Sequence, residues 1–266
     1  MSMEKNVLKN ILIFEFYENI RNRWIFLYFF IFLFISLLFI NSGGNEPERI
    51  SASLLSEILL IIPLFTLIFG SIRFVDSLPF SEVILSRTQN RFTLYLGKYL
   101  GMLLSINVGF LLGTGLPLLL FVDLGNSHIN FQLLVFGVFL NAIFLAISYQ
   151  IAISFQKKEF VLATSLLLWF YFYLLYDLIV LFFSVSLGDY PIEGLIILFI
   201  FFNPIDLVRV ILLLQMDIAA LMGFTSAFFQ KYIGNQFGIS LAILLLIIWI
   251  LIPFYLGYKK FSRKDL

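Results

Sequence analysis

The chain has 266 residues, of which 61% are hydrophobic and 12% are charged, and its 17 Lys and Arg residues nearly balance 16 Asp and Glu residues. Ordinary soluble domains contain about a quarter charged residues, so this composition, with a mean hydropathy of +1.03, excludes a soluble protein and indicates a polytopic membrane protein. The near-neutral charge gives no sign of nucleic-acid binding, and the lack of cysteine excludes disulfides and thiolate metal sites.

The first predicted element is a helix over residues 3–22, which mixes apolar and charged side chains and contains neither proline nor glycine. Its broad apolar face is typical of an interfacial elbow helix that lies on the inner leaflet before the first span. A cytosolic extension of the first span would give the same pattern, so both interpretations stay open.

Six hydrophobic runs approach or exceed the roughly 20 residues that a helix needs to cross a bilayer. We therefore expect an all-α polytopic membrane protein with one transmembrane domain, residues 1–266. The predicted spans lie at about 24–40, 54–75, 99–122, 131–155, 160–184 and 237–258.

A charged interval over residues 76–98 separates the second and third spans. Pro79 suits the first turn of a short helix, because its missing N–H is not needed there, and this helix should continue through Leu85. A short helix with an apolar face is a natural docking surface for a soluble partner. An ordinary positively charged loop fits the same residues equally well.

The region 188–236, before the last span, contains helix-breaking and polar residues. Its apolar run, 192–202, is about half as long as a span, which indicates a re-entrant or interfacial segment on the outer side. The alternative is that this run is part of a longer span. Asn203 is a good helix cap, Pro204 a good first-turn residue, and Asp206 suits the positive end of a helix predicted to reach about residue 216.

The positions of Lys and Arg predict the orientation of the chain. With both termini in the cytoplasm, fourteen of these residues lie inside and three lie outside, as the positive-inside rule requires. The three outer ones are Arg49, Arg209 and Lys231. We expect an integral protein of the cytoplasmic (inner) membrane with an even number of spans.

Few residues suggest chemistry of their own. Gly97-Lys98 is no phosphate-binding loop, because no Ser or Thr follows Lys98, so this chain is not expected to bind ATP. His128 is the only histidine, and a lone histidine is a poor metal site, so neither a metal nor a cofactor is expected. Glu57 and Asp177 fall within spans; we expect both to be interfacial, with a pathway role as the alternative.

The loop after the second span contains the Glu82-Val-Ile-Leu-Ser run, Arg91 and Gly97-Lys98-x-x-Gly101. In these residues it resembles the corresponding loop of ABC-2 type transporter permeases, whose Gly-Thr falls here at Pro79-Phe80. The resemblance implies a homodimer that binds a separate ABC ATPase subunit through this loop. The residues it assigns to ATPase coupling are Pro79, Glu82, Leu85, Arg87, Arg91, Gly97 and Lys98.

A narrower resemblance lies at residues 201–223, where Asn203-Pro204-x-Asp206-x-x-Arg209 is similar to a stretch of NosY-type permeases. That branch serves maturation of the copper enzyme nitrous-oxide reductase, which implies a periplasmic maturation protein as a partner, besides membrane lipid. In the ABC-2 family, spans two and five line the dimer interface and the translocation path. The resulting pathway candidates are Thr66, Gly70, Thr164, Tyr173, Tyr176 and Asp177, although helix packing would explain the same residues.

Three classes of function stay open. The favoured one is a non-enzymatic permease subunit, with export of a lipid, drug or peptide as the alternative within that class. An integral membrane enzyme needs clustered polar groups at one depth, whereas His128, Asp177 and Glu57 lie on different segments. A scaffold or immunity-type membrane protein needs no site at all.

Overall fold

The computed structural model of the chain describes residues 2–43, 47–85, 90–121, 127–186, 193–216 and 236–263. All regular secondary structure in these ranges is helical, as the composition predicted. The helices are α1 (Ser2–Ile20), α2 (Arg23–Gly43), α3 (Pro47–Asp76), α4 (Leu78–Leu85), α5 (Arg91–Phe121), α6 (Ser127–Phe155), α7 (Lys158–Ser186), α8 (Glu193–Phe201), α9 (Pro204–Gln215) and α10 (Gln236–Ser262).

Six helices of the described ranges are long and apolar enough to cross a membrane, namely α2, α3, α5, α6, α7 and α10. The prediction of six spans is confirmed. With 30 residues, α3 is about 45 Å long, which exceeds the hydrocarbon thickness of about 30 Å. Its last turns and α4 can therefore extend beyond the membrane together.

The bundle is built around α6, which is the most buried span and packs against α3 and α10. The least buried span is α7, whose large apolar side chains point mostly away from the chain's own core. α7 therefore lies at the margin of the bundle. α1 packs along the first half of α5.

Two spans contain a five-residue π-helical segment, Leu111–Gly115 in α5 and Tyr171–Leu175 in α7. A π turn loosens the regular hydrogen-bond ladder and often occurs at functional positions. Neighbouring helices contact both segments, and the contacts of the α7 segment are described below.

Two short helices, α8 and α9, lie in the described part of the region predicted to be re-entrant or interfacial; they have 9 and 12 residues and meet at a bend of 117°. Each helix alone is too short to cross a bilayer, and we call the bent pair the α8–α9 hairpin. α9 begins at Pro204, as predicted from its cap. Residues 217–235 of the predicted outer region lie outside the described part of the chain.

One end of the bundle brings together the ends of α3, α5, α6, α7 and α10. Lys158 at the start of α7 pairs with Asp76 at the end of α3, and Lys260 of α10 donates to the Ser154 hydroxyl of α6 at 2.8 Å. We call this the basic end, after the cations Arg73, Arg91, Lys98, Lys158 and Lys260. The loop 76–98 belongs to it.

Candidate functional site

α4 presents an exposed apolar surface at the basic end. It buries Leu78 and Ser81, whereas Phe80 and Val83 on its other side are 43% and 59% exposed. Such a surface beyond the last turn of a span suits a partner protein. Of the residues assigned to coupling, Pro79 and Glu82 lie on the exposed side and Leu85 is half-buried; Arg87 lies outside the described residues.

α1 lies beside α4 and extends this surface. The rings of Phe14 and Phe80 stack with their centroids 5.2 Å apart. Arg73, at the end of α3, forms an ion pair with Glu18 and donates from Nε to Asn19 Oδ1 at 2.9 Å. The elbow helix is therefore fixed to both α3 and α4 by side chains of different chemistry.

The Gly97-Lys98-x-x-Gly101 motif lies beneath α1. A Cβ at Gly97 would be 2.7 Å from Ile11 Cγ2, and one at Gly101 would be 2.6 Å from Glu15 Cβ and 2.9 Å from the Leu12 carbonyl oxygen. These glycines therefore let α1 approach the backbone of α5. The small side chain of Ser105, one turn further, donates to the Phe16 carbonyl at 3.1 Å.

Lys98 is buried rather than presented to a partner. Its Nζ donates to Glu15 Oε1 at 2.8 Å, and the two side chains are 1% and 6% exposed. The ammonium also lies 5.8 Å from the centroid of the Phe80 ring. In this structure the Lys98 side chain joins α5 to α1 and α4. It lies inside the protein and not on a surface that an ATPase could contact directly.

Arg91 is also used within the chain. Its guanidinium donates to the Ser262 carbonyl at 2.8 Å and to the Phe261 carbonyl at 3.4 Å, at the end of α10. A cation is favourable there because unpaired carbonyls make the end of a helix negative. The resemblance placed Arg91 in an ATPase contact; the structure shows it holding the start of α5 to α10.

The second motif attaches the α8–α9 hairpin to α7. Asn203 caps α9 by accepting the Ile205 N–H at 3.0 Å, and its Nδ2 donates to the Phe172 carbonyl at 2.8 Å and to Asp206 Oδ2 at 2.7 Å. Phe172 lies in the π-helical segment of α7. The buried Asn203 side chain thus makes hydrogen bonds both to the first turn of α9 and to the π-helical backbone of α7.

An ion-pair triad continues this attachment. Arg209 of α9 donates to Asp177 Oδ2 at 2.8 Å and lies 2.9 Å from Asp206 Oδ1. Asp177 is partly exposed, as expected, but its partner Arg209 could not be predicted from the sequence. The neighbouring Tyr176 is buried and its hydroxyl donates to the Phe199 carbonyl of α8.

Comparison with known proteins places these features in a family. The model of a family described as "ABC-2 family transporter protein" matches residues 81–266, which begin within α4 at Ser81 and include the α8–α9 hairpin. The chain belongs to the ABC-2 transporter family. The predicted resemblance is therefore confirmed, and the chain is a transporter membrane subunit.

Two curated relatives share the name "Probable ABC transporter permease protein NosY". The protein from Pseudomonas aeruginosa is 28% identical over an alignment of 226 positions, which covers 79% of this chain and 82% of that protein. The protein from Stutzerimonas stutzeri is 26% identical over an alignment of 271 positions, which covers 94% of this chain and 96% of that protein. The likeness extends over most of each chain.

In this ABC-2 permease the pathway candidates on α3 contact other spans of the same chain. Thr66 is buried and donates to Asn141 Oδ1 at 2.9 Å, which also accepts from Tyr28 at 3.1 Å, while Asn141 Nδ2 donates to Asn107 Oδ1 at 3.0 Å. This network joins α2, α3, α5 and α6. The amide side chains of Asn107 and Asn141 lie within apolar runs, and this pattern was the signal in the sequence from which the network could have been predicted.

The remaining pathway candidates also have neighbours within the chain. A Cβ at Gly70 would lie 2.4 Å from Ser148 Oγ, so α3 and α6 approach closely there. The Tyr173 ring stacks on Trp169 with centroids 5.7 Å apart, and Thr164 is half-buried. These contacts favour the packing interpretation for Gly70 and Tyr173; a transport role for the set stays a prediction.

Glu57, which was expected to reach headgroups or water, is enclosed by protein in this structure. Glu57 is 4% exposed, because α2 covers the side of α3 on which it lies. Its Oε2 accepts from the buried Ser36 hydroxyl at 3.5 Å, and its Oε1 has no hydrogen-bond partner in the described part of the protein. The structure thus places an acidic side chain inside the spanning bundle.

Proposed function

We propose that this protein is the permease subunit of an ABC transporter whose separate ATPase binds α4 at the basic end. The observation that supports the proposal is the exposed apolar side of α4, with Phe80 and Val83, in a chain that belongs to the ABC-2 family. The excess of Lys and Arg at this end favours its placement on the cytoplasmic side of the inner membrane, where an ATPase has access to ATP.

The contacts of α4 give a route by which a movement of the ATPase would reach the spans. The turn at Ser77 joins α4 directly to α3, and its carbonyl accepts the Ser81 N–H at 3.0 Å. The Phe80 ring contacts both Phe14 of α1 and the Lys98 ammonium of α5. A displacement of α4 would therefore act on α3 and α5 together, with the elbow helix as the connecting element.

The finer proposal is a role in maturation of nitrous-oxide reductase with a periplasmic partner. The relatives named NosY support it, as does the Asn203-Pro204-x-Asp206-x-x-Arg209 motif, whose polar residues form a defined structure at the opposite end from α4. The partly exposed Asp177–Arg209 pair gives that end a polar surface. A host that loses nitrous-oxide reduction on deletion of the gene and regains it with the intact gene would support this role.

The ATPase contact is tested by co-purification from membranes. Replacing Phe80 and Val83 together by Ser should reduce the amount of bound ATPase at least about tenfold, because burial of one large apolar side chain contributes about 1.5–3 kcal/mol. The matched control is Phe155→Ser, since Phe155 is 48% exposed at the same end but lies on α6, outside the loop. Wild-type protein that purifies without any ATPase, or a double variant that retains it, would contradict the proposal.

A further inference from the structure

Glu57 is a carboxyl group enclosed between two spans. Its 4% exposed side chain lies between α3 and α2, where the Ser36 hydroxyl contacts Oε2 at 3.5 Å, the long limit of a hydrogen bond. Oε1 has no partner in the described ranges. The proposed coupling mechanism does not use this residue.

No charge compensates this carboxyl within the described residues. The helices packed against α3 are α2, α4, α6, α7 and α9, and within the described residues none of their ionisable side chains forms a hydrogen bond or an ion pair with Glu57. Arg49, on α3 itself, is exposed and is not an ion-pair partner of Glu57. The groups concerned are Arg23 and Tyr28 of α2, Glu82 of α4, His128 and Tyr149 of α6, Lys158, Glu159, Tyr171, Tyr173, Tyr176 and Asp177 of α7, and Asp206 and Arg209 of α9.

Glu15 provides the comparison within the same molecule. It is buried to the same degree, 5% exposed, but Lys98 Nζ lies 2.8 Å from its Oε1. An ionised carboxylate in a poorly solvated interior is stabilised by a paired cation, whereas without one the neutral acid is favoured. Burial is thus nearly equal at the two positions, but only Glu15 has a cation within ion-pair distance in the described residues.

We propose that Glu57 is a proton-binding site of the permease. While α2 and α3 are packed as in this structure, Glu57 is a neutral carboxylic acid. When α2 separates from α3 and water reaches the site, the O–H bond breaks, the proton passes to water, and the carboxylate is left. Each opening and closing of this contact releases and takes up one proton per chain, so acid favours the packed arrangement and alkali the open one.

The proposal can be tested with dicyclohexylcarbodiimide, an apolar reagent that modifies protonated carboxyl groups within membranes. The full chain in lipid nanodiscs is treated at neutral pH, and labelling is measured by mass spectrometry of its peptides. Glu57 should be labelled at least about tenfold more than Glu15, which corresponds to about 1.4 kcal/mol of preference for the neutral form. Equal labelling of both residues at a measurable level would overturn the proposal.

Infrared spectroscopy provides a second measurement that does not depend on access of the reagent. The wild-type protein at neutral pH should show the carbonyl band of a protonated carboxylic acid, and Glu57→Gln should weaken it. Glu15→Gln should leave the band unchanged. A band that Glu57→Gln weakens supports the proposal even where no residue is labelled. A band that Glu57→Gln leaves unchanged, or its absence from the wild type, overturns the proposal.

Discussion

Lys98 lies at the point where three helices of the basic end meet. Sequence patterning assigns this cation to a loop, but its side chain is enclosed by Glu15, Phe80 and the first turns of α5. Removing one partner of a buried ion pair leaves an uncompensated charge, which costs far more than the pair contributes when both partners are present. The chain offers an exposed pair at the same end, Lys158–Asp76, for comparison.

We expect Lys98→Met to destabilise the protein by about 3–5 kcal/mol, because Glu15 is then buried without a cation. Adding Glu15→Gln to this variant should recover part of the loss. The control, Lys158→Met, removes a pair whose side chains are 58% and 37% exposed and should cost about 0–1 kcal/mol. The midpoint of thermal unfolding in detergent measures all three. Similar losses for Lys98→Met and Lys158→Met would show that Lys98–Glu15 does not behave as a buried pair.

The residues whose placement could not be predicted share one physical reason. Hydropathy and charge locate a residue along the membrane normal, but they do not determine which side of its helix another helix covers. Asp177 and Glu57 both fall within spans, yet Arg209 pairs with the first and α2 encloses the second. Asn203 was predictable because a cap depends on neighbours in the sequence rather than on distant helices.

At the scale of helices, α1 depends on the small residues of α5. The distance from a Cβ at Gly101 to the Leu12 carbonyl oxygen would be 2.9 Å, and that oxygen belongs to backbone, which cannot rotate away. The six spans and the start of α9 could be predicted, since each follows from a local pattern of apolar residues or a cap. The position of α1 against α5 could not be predicted, because it depends on two segments far apart in the chain.

Gly101→Ala should therefore force α1 away from α5 and destabilise the protein by about 1–3 kcal/mol, the usual cost of overpacking. Gly115→Ala is the matched control on the same helix, because the nearest atom to its added Cβ is 3.6 Å away. It should leave the stability unchanged or raise it slightly, since alanine restricts the unfolded chain more than glycine does. Thermal unfolding of the two variants, with proteolysis of α1 as a local measurement, distinguishes these outcomes. Equal effects would contradict the close approach at Gly101.

At the scale of the whole molecule, burial is uneven among the spans. α6 is enclosed by the other helices, whereas α7 contributes little to the core and exposes a row of large apolar side chains. Lipid can cover such a surface, and so can a second copy of the chain. The homodimer expected for an ABC-2 permease would use spans two and five; because more than half of the apolar stretch of α3 is already buried, α7 is the better candidate.

The lack of cysteine in this chain allows a direct test of the dimer by cross-linking in membranes. In a two-fold symmetric interface a residue near the axis lies opposite its own copy, so a single cysteine there can form a disulfide with its counterpart. Single cysteines at Leu167, Leu178 and Phe182, which are 68%, 54% and 65% exposed, sample three different turns of α7, and at least one should give a dimer on oxidation. The control is Phe34→Cys on α2, where exposure is 63% and no dimer is expected. Cross-linking through Phe34 with none through α7 would move the interface to α2, and lipid would then be the neighbour of the fifth span.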